Sequence, residues 1–292
     1  MLLLIACIFV ALFIMMSISG FLYSKSDSRE VSAINLSEIQ SNQDFELVPS
    51  YTKAKIQKTG YKIPFVIHQT HKTRRVPARM SRAVKEWVNK NPEFAHKYYD
   101  DDALQDYVYK HGSLDVVKAF DTIKNRYPKK GAMRADLFRL LLMKNEGGVY
   151  ADCDTTPKIS LIKLLKSDDQ YLTGVGRKND FHQWLIICVP NHPFISEALD
   201  LAVEAILRDK PARGGIGREA GFAGPPMLNR AVVTVLKRFS KIKHTNSGVH
   251  KIDNNYNYRV IEGDYLGGHV NFKYRGYNQD MKLLGLKHWS SK

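Results

Sequence analysis

Hydrophobic and polar positions divide this chain into three regimes. Residues 1–23 are an apolar run without a charged side chain, the first being Lys25. At about 1.5 Å of rise per residue such a run crosses a hydrocarbon layer of about 30 Å, which predicts a membrane-spanning signal-anchor. Small residues Ser17, Ser19 and Gly20 leave a cleaved signal as an alternative. Residues 24–60 are polar and aperiodic and read as a stem or linker. From residue 61 to 292, short apolar runs alternate with amphipathic stretches, the pattern of one folded domain.

Within that domain the pattern predicts strands at 63–67, 94–99, 149–151, 171–175 and 184–189. Helices are predicted at 80–90, 101–111, 114–125, 131–145, 193–208 and 225–239. In the fourth of these, Met133, Leu137, Leu140, Leu141 and Met143 make a wide apolar face, and Gly147-Gly148 end it. Strands alternating with helices predict an α/β fold, a single Rossmann-like domain on a mixed, largely parallel sheet.

Composition narrows the function. A hydrophobic fraction of 44% in 292 residues supports a large core and excludes wholesale disorder. Three cysteines exclude a disulfide-built scaffold, and Cys153 and Cys188, in apolar strand-like runs, read as buried free thiols. Lys and Arg number 44 against 29 Asp and Glu, a net charge of +15, which suits an anionic partner or simply a basic surface. No basic run, zinc-finger spacing or RNA-recognition motif accompanies that charge, so nucleic acid is not an expected partner. The sequon Asn35-Leu36-Ser37 agrees with a lumenal location, hence a single-pass type II membrane protein of the Golgi or ER type. The charges flanking the apolar run do not fix its orientation.

Chemistry concentrates in Arg134-Ala-Asp136-Leu-Phe-Arg139 and in Gly147-Gly-Val-Tyr-Ala-Asp152-Cys-Asp154. Two carboxylates one residue apart, where a buried strand leaves its sheet, can converge on a hard divalent cation. Asp152-Cys153-Asp154-Thr155-Thr156 also fits the D-x-D-x-T nucleophile motif of haloacid-dehalogenase-type phosphatases. There the first Asp would attack phosphorus. A membrane-tethered carbohydrate- or anion-binding module without catalysis is the third alternative.

The segments Ile63-Pro-Phe-Val-Ile-His-Gln-Thr70, Asn91-Pro92, Arg134 to Arg139, Gly147 to Asp154, Gly224-Pro-Pro-Met227 and His288-Trp-Ser-Ser291 stand in an order that resembles glycosyltransferase family 32. That group contains fungal-type α-1,6-mannosyltransferases and inositol-phosphoceramide mannosyltransferases. The resemblance implies a GT-A fold and a Mn²⁺ or Mg²⁺ ion. It also implies a nucleotide-sugar donor, with GDP-mannose favoured over a UDP-hexose, and retaining transfer to a glycan or glycolipid. By the same resemblance Asp152, Asp154 and His288 are metal residues. Asp136 and Arg139 hold the donor sugar, His68 and Gln69 flank the nucleotide, and Gly224 and Pro225 border donor and acceptor. Arg134 is a candidate cation for the leaving diphosphate. Simpler readings stand beside these: an i,i+3 surface pair for Asp136 and Arg139, a satisfied strand-end residue for His68, a surface residue for His288, and core positions for Trp87 and Trp184.

Overall fold

Eight short strands, rich in β-branched and aromatic residues, join in one sheet of the computed structural model, which describes residues 45–176, 179–213 and 218–284. They are β1 (Tyr51–Thr52), β2 (Val66–Thr70), β3 (Ala95–Tyr99), β4 (Gly148–Ala151), β5 (Tyr171–Gly174), β6 (Leu185–Cys188), β7 (Gly248–Lys251) and β8 (Asn257–Ile261), in the order β7-β8-β5-β6-β4-β2-β3-β1. By internal contacts the chain divides into residues 1–46 and 47–292. Of the first unit only Phe45 and Glu46 are described, both extended.

Period-two alternation sorts the core to the two sheet faces. Tyr150 of β4, Ile186 and Cys188 of β6 and Tyr258 and Val260 of β8 join one apolar cluster. Val149, Ala151, Leu185 and Ile187 join another with Trp87 and Leu266. Helices α1 (Ala78–Lys90), α2 (Asp101–His111), α3 (Leu114–Arg126), α4 (Gly131–Asn145), α5 (Pro193–Leu207) and α6 (Pro225–Arg238) cover the sheet. Helix α4 is buried from Leu137 to Met143 on every side, so its polar Arg139 lies inside the protein. Cys153 and Cys188 are free and buried, as expected.

Three expectations need correction. The sheet is mixed but not largely parallel. Only β8–β5, β4–β2 and β2–β3 run parallel, whereas β7–β8, β1–β3, β4–β6 and β5–β6 are antiparallel. The cause is that β5 and β6 are joined with no crossover helix between them, which permits only antiparallel neighbours. The second strand begins later than predicted, at Val66. Pro64 has no N–H for a ladder, and its carbonyl instead accepts from Val66 N at 3.0 Å. The strand ends at Thr70, so His68 and Gln69 belong to its last three residues, as expected.

The third correction concerns the membrane. Among the described residues no helix is long and apolar enough to cross one. The span predicted over 1–23 lies outside the described residues. The membrane as a partner, the signal-anchor and the single-pass type II Golgi or ER placement are therefore withdrawn.

Candidate active site

Two glycines set the approach to the site. Helix α4 ends in Gly147 and Gly148, at φ +62° and +86°, a conformation that disfavours other residues. A Cβ on Gly147 would stand 2.6 Å from Pro190 N, and one on Gly148 2.6 Å from Val66 O. The chain thus reverses tightly into β4, which delivers Asp152 at its carboxyl end.

A short turn follows. The Asp152 N–H donates to Trp184 O at 2.9 Å, and Asp152 O accepts from Thr155 N at 3.1 Å and Thr155 Oγ1 at 2.7 Å. Cys153 Sγ donates to Thr70 O at 3.1 Å, and Trp87 Nε1 donates to Thr155 O at 3.0 Å. Strand Thr155–Pro157 then pairs antiparallel with Val270–Phe272. Just beyond, Tyr274 N donates to Asp154 O at 2.8 Å. Tyr274 OH is in turn fixed by Asp280, which Arg79 holds at 2.6 Å. A segment more than a hundred residues downstream is thereby laid on the acidic turn.

Arg139 is the hub beneath it. One guanidinium nitrogen donates to Asp152 Oδ1 at 2.8 Å and to Tyr150 OH at 3.1 Å, while the other lies 3.0 Å from Asp136 Oδ1. The guanidinium stacks 4.4 Å from the Tyr150 ring centroid, and Tyr150 OH donates to Asp152 Oδ1 at 3.1 Å. Burial pushes Asp136 up to about 6, against the pull of Arg139. Burial also raises Asp152, with Arg139 and Tyr150 opposing. For Asp154, burial and then the charge on Asp152 push the carboxyl up to about 7, and Lys273 holds it back.

Asp154 Oδ1 is buried with no hydrogen-bond partner. An orphaned carboxylate oxygen is costly unless something pairs with it. Together with Asp152 it offers the hard oxygen donors that Mn²⁺ and Mg²⁺ prefer, so the donor chemistry fits such an ion. Among the described residues no group of three or more His, Cys, Asp or Glu side chains could hold a metal, so protein ligands alone do not complete a shell there.

The structure brings Asp136, Arg139 and Asp152 into one cluster, with Asp154 on the same turn. Asp136 and Arg139 are therefore an inward pair, not a surface one. Gln69 joins through Nε2, 3.5 Å from Asp152 O, while its Oε1 meets His96 Nε2 at 3.0 Å. His68 is elsewhere. Its ring meets Tyr99 OH at 3.3 Å, its Nε2 is 3.9 Å from Glu146 Oε2, and burial, with the charge on Lys97, lowers it to about 3. Arg134 is held by Asp101 at 3.3 Å and by Pro128 O at 3.2 Å. Gly224 and Pro225 open α6, where Gly224 N donates to Ala220 O at 2.9 Å. His288 lies outside the described residues. Trp87 is core, as expected, whereas Trp184 is only partly buried. Sequence reasoning missed Tyr150, Lys273 and Tyr274. For Tyr150 the signal was its place two residues before Asp152; for the other two, spacing gave none.

A family model described as a glycosyltransferase sugar-binding region containing a DXD motif matches residues 77–171, which include Asp136, Arg139, Asp152 and Asp154. HOC1 of Saccharomyces cerevisiae is 27% identical over 169 residues, 51% of this chain and 41% of that protein. Mannosyl phosphorylinositol ceramide synthase SUR1 of the same yeast is 28% identical over 140 residues, 47% of this chain and 34% of that protein. The chain thus spans well under half the length of these curated relatives. Among solved structures, PaToxG Glycosyltransferase superposes with a TM-score of 0.50 at 20% identity, covering 61% of this chain and 71% of that one, a likeness of fold. The chain therefore carries a glycosyltransferase-type enzyme domain: its DXD region is similar to the sugar-binding region of glycosyltransferases, and its fold is GT-A-like.

Proposed function

We propose that this domain moves a hexose, with mannose favoured, from a nucleotide-sugar donor to a glycan or glycolipid acceptor, with retention at the anomeric carbon and with Mn²⁺ or Mg²⁺ bound. GDP-mannose is the favoured donor and a UDP-hexose the alternative. Two kinds of relative support mannose by name: an inositol phosphoceramide mannosyltransferase and initiation-specific alpha-1,6-mannosyltransferases. The observation that carries the reading is the partnerless, buried Asp154 Oδ1 beside the Arg139 cluster.

The costly event in such a transfer is departure of the nucleoside diphosphate. A divalent ion held by Asp152 and Asp154, when bound, acts as a Lewis acid on that leaving group and is worth several kcal/mol. The chain's own residues do the rest. Arg139 fixes the Asp152 carboxylate in one orientation and opposes the upward push of burial on it. Asp136 presents a carboxylate to sugar hydroxyls from the same buried guanidinium. Lys273, whose charge acts on Asp154, supplies a second cation where negative charge develops, the role first given to Arg134.

A thermal-shift panel of GDP-mannose, UDP-hexoses, GDP and UDP, each with and without Mn²⁺, tests the proposal. A donor bound only by the folded state raises the melting temperature. The expected result is a shift from one nucleotide series that needs Mn²⁺, with slow release of free hexose. Phosphate release from a phosphomonoester, or sugar binding with no turnover, would replace the transferase reading.

A further inference from the structure

A group of aromatic side chains flanks the acidic turn on the side away from β2 and β3. Trp184, whose carbonyl holds Asp152 N, directly precedes β6. Phe272 faces Thr155 across the two-stranded ribbon and directly precedes Lys273. Around Trp184 stand His182 at 4.8 Å, Tyr265 at 5.9 Å and Phe272 at 5.3 Å between ring centroids. His182 and Tyr265 are parallel to within 6°, Tyr265 and Phe272 to within 9°, at 6.3 and 6.1 Å. Those separations are those of offset stacking, in which neither ring sits squarely over the other.

Backbone strain holds this arrangement. Tyr265, Leu266 and Lys273 are all left-handed, at φ +55°, +58° and +65°, where residues with side chains rarely go. Leu266 is buried as an anchor, while Tyr265 beside it keeps 37% of its surface and Phe272 36%. The loop reaches the sheet because β5 ends in glycine: a Cβ on Gly174 would stand 2.8 Å from Leu266 N. Strain of this kind persists where surrounding structure over-determines it, characteristically at ligand sites. Here it displays a large aromatic ring to solvent beside the reacting centre.

We propose that Trp184, Tyr265 and Phe272, backed by His182, form the seat for an uncharged sugar ring of the acceptor. Aromatic faces carry negative charge density and take the C–H-lined face of a pyranose. Two opposite charges border the platform: Lys273, whose ammonium lies 5.8 Å from the Phe272 centroid and 5.1 Å from that of Tyr277, and Asp264, whose charge acts on His182. The opposite flank of the turn, with Gln69 on β2, is left for the nucleotide. This inference rests on the transferase reading of the same turn.

Saturation-transfer NMR on the full chain tests it, with methyl α-D-mannopyranoside as the sugar probe and GDP and UDP, each with Mg²⁺, as nucleotide probes. The ring C–H protons of the sugar are expected to receive saturation. The Tyr265→Asn, Phe272→Thr double variant is expected to weaken sugar binding about tenfold, the loss of two aromatic contacts. Asn accepts the left-handed backbone and Thr suits a strand, so an unchanged melting temperature serves as the folding control. Tyr265→Phe keeps the ring face and is expected to bind the sugar as the parent does. Equal sugar binding in the double variant overturns the proposal, and so does a variant that loses nucleotide instead, because the rings would then seat the base. Absence of any nucleotide signal in the parent counts against the transferase reading, whereas the sugar arm still decides the platform.

Discussion

Replacing Arg139 by Met removes one side chain and strands two. Its guanidinium is the shared partner of Asp152 at 2.8 Å and Asp136 at 3.0 Å, and all three are largely inside the protein. Breaking a buried ion pair by deleting one member costs about 3–5 kcal/mol, because an uncompensated charge remains. With a urea m-value of about 3 kcal/mol per M for a domain of this size, the unfolding midpoint falls by roughly 1–1.7 M. The loss has a pH signature. Asp136 already stands at about 6, and both carboxyls climb further once the cation is gone, so acid neutralises them cheaply. The destabilisation should therefore be larger at pH 8 than at pH 5. Arg139→Lys keeps the charge but not the two-pronged geometry, and should recover part of the loss. Adding Asp136→Asn and Asp152→Asn to Arg139→Met should recover more, a non-additivity that a mutant cycle measures. Urea unfolding followed by circular dichroism at both pH values reads all of this. A midpoint within about 0.3 M of the parent, about 1 kcal/mol at that slope, would refute the picture of Arg139 as a buried charge hub.

Three further outcomes follow from the same geometry. Asp154→Asn should abolish metal-dependent donor turnover, by about a hundredfold or more, yet leave stability equal or slightly higher because an orphaned carboxylate is removed; a destabilised but active variant would contradict it. Lys273→Ala should slow donor turnover about 10- to 100-fold with little effect on donor affinity, if its charge acts on the departing group; steady-state kinetics separates the two, and a pure KM effect would deny that role. Acid should destabilise the fold. Burial lowers His68 and His192 to about 3 and His96 and His182 to about 4, so between about pH 4.5 and 6 the unfolded chain holds three to four protons that these residues refuse in the fold. Burial raises Asp136 to about 6 and Asp154 to about 7, and raises Asp152 too, which acts in the opposite sense. The net is one to two protons, so stability should fall by about 1.4–2.7 kcal/mol per pH unit on acidification. A urea series across that window showing constant or rising stability would exclude it.

What could be read in the sequence follows the range of the forces involved. Helix α4 and its exit into β4 were legible because apolar periodicity and a glycine pair are local signals. The Asp-Cys-Asp turn was legible for the same reason. Direction in the sheet was not, since an antiparallel β5–β6 pair shows itself only by the missing helix between two apolar runs. The strand that carries His68 starts later than its apolar run suggests, because Pro64 delays it. Arg134 and Arg139 look alike on paper, one helix and one charge type. Packing separates them, because α4 is buried through Arg139 while Arg134 meets Asp101 near its open end. Lys273 and Tyr274 were invisible, since only the folded chain brings them to Asp154.

The ribbon joining residues 155–157 to 270–272 has a consequence for biosynthesis. Closing so long a loop is slow, and it cannot occur until the second strand exists. On the ribosome, most of the sheet can assemble from earlier-emerging chain, yet the acidic turn remains without its lining until residues 270–274 have been made. A chain stopped before residue 270 would therefore hold every strand of the main sheet and still lack the lining of its acidic turn.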